Sequence, residues 1–465
     1  MSEKTTAQML KEKLFKNNKN GYFKASEQDI KEAYTFSEDY KTFLTRSKTE
    51  RLFASNICEL AQKNGYTAFD PQKKYKSGDK VYLLHRNKAV LLCVFGKQPL
   101  EKGLRIAAAH IDSPRIDLKP NPIYEADELG YFKTHYYGGI KKYQWPTIPL
   151  CLYGVVYKAD GSSVTVSIGE KPEDPKFVIT DLLPHLAVEQ QKRTLAEGIK
   201  GEELNILIGS RPFQDDEASE AVKLNLLNLL FEKYGITEGD FQSAELEFVP
   251  AFDACDIGLD RSLIGGYGHD DRVCSYPAAM ASFAVESPEK TTLTVLTDKE
   301  EIGSEGNTGL QSAYMVNFIK DIAKAAGTDA YIVLRNSQCL SADVNAAHDP
   351  TFADVTEKNN AAFINKGVVI TKYTGSRGKS GTSDANAEYM GFIRKLLNDN
   401  NVVWQTGELG KVDAGGGGTV AMYIANLDVD TVDLGVPVLS MHAPFEVISK
   451  LDLYMAYRAF VAFFR

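Results

Sequence analysis

The strongest constraint on the fold is an alternation of short apolar runs with amphipathic segments, which begins near residue 245 and continues to the C-terminus. The runs LEFV, TTLTVLT, AYIVL, GVVIT, NVVWQ and VDLGVPV predict strands. Helices are predicted after residue 272, over 308–326 and 385–397, and from 449. Because strands and helices take turns, this order predicts a largely parallel sheet covered by helices on both faces.

A different pattern occupies the middle of the chain. Residues 131–168 carry aromatic and β-branched residues in the short runs YFKTHYYGG, CLYGVVYK and SVTVSIG. The pair Asp160-Gly161 between two of these runs is a hairpin signal, so the region is predicted to be antiparallel sheet. A helix is predicted over 216–234, where leucines recur at helical spacing.

The N-terminal quarter matches the C-terminal part. Residues 27–66 have apolar positions at helical spacing, and two runs that follow from residue 89 onward, AVLLCVFG and LRIAAAHID, predict buried strands. We therefore expect an α/β domain formed by residues 1–114 and 246–465. A β-rich insertion at residues 115–245 is expected to interrupt it.

Composition excludes several classes of partner and location. The 465 residues include 53 Lys+Arg and 62 Asp+Glu, a net charge of −9, and there is no run of basic residues. This balance argues against a nucleic-acid backbone or an anionic membrane as the main partner. No segment resembles a signal peptide or approaches the ~20 apolar residues of a membrane span, so we expect a cytoplasmic protein. The six cysteines form no C-x-x-C pair and are expected to be reduced core residues.

Histidines and acidic residues follow several of the predicted strands. They are His110 and Asp112 in AAAHIDSP, Asp270 and Asp271 in GHDDRVCSY, Glu300 and Glu301 in DKEE, Asp343 in LSADVN, and His442 in LSMHAPFE. Any one of these is most often a structural histidine or a solvated turn, but the carboxyl ends of strands are where an open α/β sheet forms its ligand crevice. Imidazole and carboxylate ligands suit Zn²⁺, and Mn²⁺ or Co²⁺ less specifically. With two ions about 4 Å apart, one carboxylate must bridge and another must accept the proton of a water.

Five of these motifs, taken in order, carry a family resemblance. AAHIDSPRIDLKP, GHDDRVCSY, DKEEIGS, SADVNAAHDP and LSMHAPFE resemble the M18 family of metallopeptidases, the aspartyl aminopeptidases of the dinuclear zinc exopeptidase clan. The string DAGGGGTVA resembles the bacterial branch of that family. The resemblance implies a three-layer α/β/α zinc-exopeptidase domain with an inserted β-rich dimerisation domain, and two Zn²⁺ per subunit, with Mn²⁺ or Co²⁺ as substitutes.

The resemblance also implies a role for each motif residue. His110, Asp270 and Asp343 would bind one zinc ion, and Asp270, Glu301 and His442 the other. Glu300 matches the general base, and Asp112 matches the carboxylate that orients the first histidine. Asp270 is preferred to Asp271 as the bridging ligand, because the clan usually bridges through the first acid of the doublet.

The implied activity is metal-assisted removal of the N-terminal residue of peptides, with a preference for Asp or Glu. Arg377 and Lys379 in TGSRGKSG are both candidate cations for an acidic side chain, and Gly417 in the glycine run is a candidate for backbone contacts to the substrate. His185 matches a substrate-binding histidine of the family. Glu189 stands where eukaryotic members have a second histidine, so we expect a weaker acidic preference and acceptance of neutral residues. The family also implies dimers formed through the insertion, which assemble into a tetrahedral dodecamer.

Three alternatives remain. Another co-catalytic zinc exopeptidase or a deacylase of the same clan would need a cation for the substrate carboxylate. The string TGSRGKSGT imitates a P-loop, but two residues separate Gly375 from Gly378 where a phosphate loop has four, so a nucleotide-binding protein is a distant alternative. A non-catalytic scaffold would have lost its site, whereas the five implied ligands and the base are all present. Neither H-E-x-x-H nor G-x-S-x-G occurs.

Overall fold

The computed structural model describes residues 4–16, 19–215 and 217–465. The α-helices are α1 (Thr6–Leu14), α2 (Glu27–Arg46), α3 (Glu50–Lys63), α4 (Val188–Gln191), α5 (Ala221–Tyr234), α6 (His269–Phe283), α7 (Tyr314–Ala326), α8 (Ala330–Arg335), α9 (Ala387–Asp399), α10 (Ala421–Ala425) and α11 (Lys450–Phe464). None of these helices is long and apolar enough to cross a membrane.

The strands of the described residues fall into three sheets. They are β1 (Thr67–Ala68), β2 (Lys80–His85), β3 (Ala89–Val94), β4 (Arg105–His110), β5 (Arg115–Ala126), β6 (Leu129–Tyr137), β7 (Leu150–Tyr157), β8 (Ser163–Ile168), β9 (Val178–Ile179), β10 (Ile206–Gly209), β11 (Ala244–Pro250), β12 (Cys255–Ile257), β13 (Leu263–Gly266), β14 (Thr292–Thr297), β15 (Gln338–Ser341), β16 (Asn345–Ala346), β17 (Val368–Thr371), β18 (Trp404–Thr406), β19 (Asp430–Gly435), β20 (Pro437–Leu439) and β21 (Glu446–Ser449).

A nine-stranded sheet forms the middle layer of the main domain, in the order β1-β2-β3-β14-β4-β15-β19-β17-β18. Its centre, β14-β4-β15-β19, is parallel, as the alternating sequence predicts. Side chains alternate between two cores along each strand. Val90 and Leu92 of β3 join a core with α2, α3, α6, α9 and α11, whereas Leu91 and Cys93 join a core with α7, α8 and α10. Helices therefore cover both faces, and the predicted three-layer α/β fold is confirmed.

Strands β5 to β11 form an antiparallel sheet in the order β8-β7-β11-β5-β6-β10-β9, with an apolar core of its own. The strand LEFV, which we expected in the parallel sheet, is part of β11 and pairs instead with β5 and β7. A short apolar run can be buried in a parallel or in an antiparallel sheet, so the pattern of this run does not show which of the two sheets it joins. We propose the division into residues 1–114 and 246–465 and an inserted domain at 115–245 on the basis of these sheets, with β11 crossing the second boundary.

A third sheet, β12-β13-β21-β20-β16, was not expected from the sequence. Its strands are two to four residues long, too short to carry a periodic signal. It matters for function because β20 and β21 flank the segment that contains His442.

Several local predictions need correction. AYIVL, predicted as a strand, forms helix α8, and the strand that leads to Asp343 is β15. Short apolar runs cannot be assigned to helix or strand from periodicity alone, and Val333 and Leu334 are buried here in the same core as α7. The helix predicted over 216–234 begins at Ala221, and residue 216 itself lies outside the described residues. Of the cysteines, Cys255 is exposed, whereas the other five are buried as predicted.

Candidate metal centre

The predicted histidine and acidic residues meet at one edge of the nine-stranded sheet. Strand β4 ends at His110 and is paired in parallel with both β14 and β15. Glu300 and Glu301 follow β14 in a single turn of 3₁₀-helix, and Asp343 follows β15. Because parallel neighbours end at the same edge, the three loops converge there.

Asp270 lies between the two histidines. Its Oδ1 is 3.1 Å from His110 Nε2, and its Oδ2 is 3.2 Å from His442 Nε2. Asp270 is buried at the start of α6, and this position places one carboxylate oxygen toward each ring. Such a carboxylate has the geometry of a bridge between two ions.

Ligand atoms gather in two groups that share this carboxylate. In each group, one ligand atom per residue lies within 4.8 Å of the others: His110, Asp270 and Asp343 in the first, and Asp270, Glu301 and His442 in the second. Tetrahedral zinc with bonds of about 2.0 Å separates its ligand atoms by roughly 3.3 Å. The distance of 3.5 Å between His442 Nε2 and Glu301 Oε2 and that of 3.9 Å between His110 Nε2 and Asp343 Oδ1 are close to this spacing.

The donor set also fits a divalent cation electrostatically. Glu301 Oε1 is buried and has no hydrogen-bond partner in the described part of the chain, which is costly unless a cation compensates it. Burial and the Asp270 charge raise the pKa of Glu301 well above its ordinary range in the metal-free protein. Burial likewise raises the pKa of Asp343. The residues present therefore fit zinc, which favours nitrogen and carboxylate ligands.

Asp112 links the first histidine to the glutamate turn. It is fully buried, and its carboxylate accepts hydrogen bonds from the backbone N–H groups of Glu300 (3.1 Å) and Glu301 (3.2 Å). His110 Nδ1 lies 3.0 Å from the Asp112 carbonyl oxygen and 3.4 Å from its carboxylate. With Nδ1–H occupied in this way, Nε2 is the nitrogen that faces Asp270. Tyr137, which no sequence motif indicated, donates its hydroxyl to Asp112 Oδ2 at 2.7 Å.

His442 is held from two sides. Its backbone N–H donates to Glu446 Oε1 at 2.7 Å, and the backbone N–H of Asp270 donates to Glu446 Oε2 at 3.0 Å. Its ring Nδ1–H donates to the carbonyl oxygen of Gly139 at 2.9 Å. Glu446 and Gly139 were also missed, although the motifs LSMHAPFE and YYGG contain them.

Glu300 and Glu301 differ in their surroundings although they are neighbours. The Glu301 side chain is 4% exposed and faces His442, whereas that of Glu300 is 17% exposed and lies 3.9 Å from His110 Nε2. Burial raises the pKa of Glu300 to about 7 against the opposing effect of the His110 charge, and the charges of Asp112 and Asp270 act in the same direction as burial. A carboxyl group with a pKa near 7 can both accept and release a proton at neutral pH.

The second acid of the doublet, Asp271, belongs to neither group. It is buried, and its carboxylate oxygens have no hydrogen-bond partner among the residues that the structure describes. Burial raises the pKa of Asp271 well above its ordinary range.

The predicted substrate-binding residues lie in two other places. Lys379 and Arg377 are in an exposed loop that lines a cavity of about 50 Å³ with the loop of residues 408–416. Lys379 Nζ donates to Asp384 at 2.7 Å and lies 3.8 Å from the centre of the Tyr373 ring. Gly417, beside this cavity, accepts a hydrogen bond from the Gly375 N–H at 2.7 Å through its carbonyl oxygen.

His185 is exposed in the insertion, three residues before α4. Glu189, in α4, forms an ion pair with Lys192. Over residues 4–16, 19–215 and 217–465, neither His185, Arg377, Lys379 nor Gly417 has a hydrogen bond or ion pair with the two ligand groups.

This fold, with two histidine–carboxylate groups that share one aspartate at the carboxyl edge of its sheet, defines a metal-dependent hydrolase. The chain belongs to the M18 family, since the family model "Aminopeptidase I zinc metalloprotease (M18)" matches residues 43–464. It is therefore a zinc metallo-aminopeptidase, an enzyme that hydrolyses peptide bonds at the N-terminus.

Relatives cover nearly the whole chain. A probable M18 family aminopeptidase 1 from Clostridium acetobutylicum is 47% identical over 97% of this chain and 98% of its own length. The crystal structure of an M18 aminopeptidase from Thermotoga maritima matches with a TM-score of 0.92 and 43% identity over 97% of this chain and 100% of that chain. A structure described as the Saccharomyces cerevisiae mApe1 dodecamer, 21% identical over 92% of this chain and 96% of that one, shares the fold with a TM-score of 0.75.

Proposed function

We propose that this aminopeptidase works with two ions. His110, Asp270 and Asp343 hold one ion, and Asp270, Glu301 and His442 hold the other. The observation that carries this proposal is the position of Asp270, whose two carboxylate oxygens lie 3.1 and 3.2 Å from two different histidines. Zinc is the metal of the family, and Mn²⁺ and Co²⁺ suit the same ligands and are proposed as substitutes.

The chemistry divides between the ions and the side chains. When bound, two zinc ions lower the pKa of water toward about 7 and polarise the scissile carbonyl group. Glu300 is the general base: its carboxylate accepts the proton of the attacking water and delivers that proton to the leaving amine. Asp112 keeps His110 oriented and, by accepting the N–H groups of Glu300 and Glu301, fixes the turn that carries both carboxylates.

Specificity is proposed to depend on the glycine-rich loops. Lys379 is already paired with Asp384, whereas Arg377 has no ion pair within the described residues, which favours Arg377 as the cation for an acidic N-terminal side chain. Support for a location near the ions comes from α10, which follows the glycine run of Gly417. Tyr423 of α10 donates to the Gly303 carbonyl oxygen at 3.3 Å, in the loop that contains Glu300.

His185 and Glu189 are proposed to affect specificity from the insertion. Glu189 is exposed and acidic, so it would repel an acidic substrate that approaches it. We therefore propose a moderate preference for Asp and Glu, with neutral residues accepted.

A single set of assays tests the activity, the metal and the specificity. Chromogenic amides of Asp, Glu, Leu and Ala are hydrolysed with Zn²⁺, Mn²⁺ or Co²⁺ added, and metal analysis measures ions per chain. We expect hydrolysis of unblocked amides and two ions per chain. The deacylase alternative predicts hydrolysis of N-acylated substrates instead, and one ion per chain would contradict the dinuclear centre.

Assembly into a homo-oligomer through the insertion is also proposed, with a tetrahedral dodecamer as its final form. Among the aromatic side chains of the insertion, Phe132 and Tyr153 are buried in its core and are not available for such a contact. Exposed apolar side chains lie instead on α5 and in the preceding loops, at Leu182, Leu183, Leu186, Leu195, Leu224, Leu229 and Phe231. Cytoplasmic location stays a prediction, and peptides are the proposed substrates.

A further inference from the structure

The end of strand β6 approaches the metal centre although it belongs to the inserted sheet. Tyr137 is the last residue of β6, and Gly138 and Gly139 follow it directly. From this segment, the Tyr137 hydroxyl reaches Asp112, and the Gly139 carbonyl oxygen reaches His442. One short segment therefore contacts both halves of the centre.

The Tyr137 contact acts on the first half. Asp112 accepts the Tyr137 hydroxyl at 2.7 Å through Oδ2, the same oxygen that lies 3.2 Å from the Glu301 N–H. The Tyr137 ring is fixed by the guanidinium of Arg115, which lies 3.8 Å from the ring centre. Arg115 is in turn 3.5 Å from Glu50 of α3, so the ring is tied to the main domain.

The Gly139 contact acts on the second half. Its carbonyl oxygen, 2.9 Å from His442 Nδ1, favours the tautomer that carries its proton on Nδ1. The other nitrogen, Nε2, faces Asp270 and Glu301 and is left free to bind an ion. A side chain at this position would disturb the arrangement, because a Cβ added to Gly139 would lie 3.2 Å from His442 Nδ1. Any larger residue would therefore have to displace the His442 ring by a few tenths of an ångström.

We propose that Tyr137 and Gly139 are positioning residues, through which the inserted sheet sets the orientation of His442 and of the Asp112–His110 pair. The inference rests on the proposed dinuclear centre and adds to it: the ligands come from the main domain, but their geometry depends on the insertion. Displacement of β6 relative to the main domain would weaken both ion sites together.

The test is Tyr137→Phe, which keeps the ring and removes only the hydroxyl. We expect a loss of zinc affinity of roughly tenfold, measured by competition with a chromogenic chelator; this is the lower end of the effect of removing a direct partner of a ligand, because Tyr137 acts through Asp112. We also expect kcat to fall by a similar factor with KM within about twofold. In the Co²⁺-loaded protein, the visible absorption bands should shift, because they report ligand geometry.

The matched control is Tyr136→Phe. Tyr136 is the preceding residue of the strand, is 39% exposed and points to the opposite face. It should retain zinc affinity, kcat and the cobalt spectrum. Equal affinity in wild type and Tyr137→Phe would overturn the inference, and so would a loss that Tyr136→Phe shares.

A second variant tests the other contact. Gly139→Ala should weaken zinc binding at least tenfold, whereas Gly391→Ala, where a Cβ meets no atom within 4 Å, should not. Thermal unfolding of the metal-free variants shows whether folding is preserved. If wild type itself fails to bind two ions, the proposed dinuclear function fails; if wild type binds them and both positioning variants behave like it, only the present inference fails.

Discussion

At the scale of single residues, the glutamate doublet assigns different tasks to identical side chains. Glu300→Gln should keep both ions and the fold but lower kcat by roughly 10²–10⁴-fold, the usual contribution of a positioned base. Glu301→Gln should instead lose ions, because an amide is a poorer ligand and Glu301 lies 3.5 Å from His442 Nε2. Metal analysis and steady-state kinetics distinguish the two effects. The control is Glu305→Gln, because Glu305 is an exposed acid in the same loop. If Glu300→Gln lost metal and Glu301→Gln kept both ions, the assignment of base and ligand would be reversed.

Substrate preference is the second property that depends on single residues. A charge-assisted contact to an acidic side chain contributes about 1.5–3 kcal/mol, so Arg377→Ala should lower the Asp-to-Leu ratio of kcat/KM by roughly ten- to a hundredfold. Lys379→Ala should change it less, since Lys379 is occupied by Asp384. Glu189→His should raise the ratio by removing a negative charge. Competition between the two amides in one reaction measures it, and an unchanged ratio in Arg377→Ala would place specificity elsewhere.

The sequence predicts those site residues whose side chains would act directly. His110, Glu301 and Asp343 stand at the ends of strands whose neighbours are parallel, so a linear pattern already brings them together. Tyr137 and Gly139 could not be found in this way. They come from another sheet, and Gly139 acts through its backbone carbonyl oxygen, which every residue type possesses.

At the scale of elements, a buried ion cluster connects α3 of the main domain to β5 of the insertion. Glu50 of α3 is 1% exposed and lies 3.3 Å from Lys88 and 3.5 Å from Arg115. Burial opposes its ionisation, but Arg115 and Lys88 outweigh burial and lower the pKa of Glu50 to about 2. Because the pKa of Glu50 is lower in the folded state than in the unfolded state, its ionised form stabilises the fold at pH values above the unfolded pKa near 4.5. That stabilisation is lost as the pH falls from about 4.5 to 2.

Glu50→Gln should therefore lower the free energy of unfolding by about 3 kcal/mol at pH 7, because it removes a buried negative charge that faces the cations of Lys88 and Arg115. The difference in the free energy of unfolding between wild type and Glu50→Gln should shrink as the pH falls from about 4.5 toward 2. Urea unfolding of the metal-free protein at several pH values measures it. Glu247→Gln is the matched control: Glu247 is equally buried beside Arg115, but burial raises its pKa, so the neutral amide should cost much less. Equal losses in the two variants would contradict this account.

Elements were predicted well where periodicity was long and poorly where it was short. Helices α2, α3, α9 and α11 have apolar stripes of several turns that the sequence shows directly. The six residues of α8 present no such stripe, and their β-branched character favours a strand until the neighbouring α7 is known. The strands of the third sheet depend on long-range pairing, which no local pattern reports.

At the scale of the whole molecule, the order of elements determines the main sheet but leaves the surface of the insertion undetermined. The aromatic runs of β6 and β7 are compatible in sequence with either a core or a contact surface, and Phe132 and Tyr153 lie in the core of the insertion. On α5, Leu226 and Leu230 face that core, which leaves the other side of the helix exposed. Sequence alone could not separate the two sides, because leucine occurs on both.

That exposed side is where assembly is best tested. Leu224 and Phe231 are seven residues apart, so they share one face of α5, and they are 43% and 56% exposed. Exposed apolar groups on one face are a common feature of contacts between copies. The wild type should therefore be larger than its 51.4 kDa chain in light scattering at micromolar concentration.

A charge on this face should disrupt the contact, because burying an unpaired carboxylate is costly. Phe231→Glu should shift the protein toward a smaller species, whereas Leu259→Glu, at a fully exposed position outside the insertion, should leave the mass unchanged. A wild type that is monomeric at micromolar concentration would contradict assembly itself. An oligomer that Phe231→Glu leaves intact would exclude this face of α5. If dissociation also weakens zinc binding, the positioning role of β6 would extend to the assembly, because the insertion that carries α5 also carries Tyr137 and Gly139.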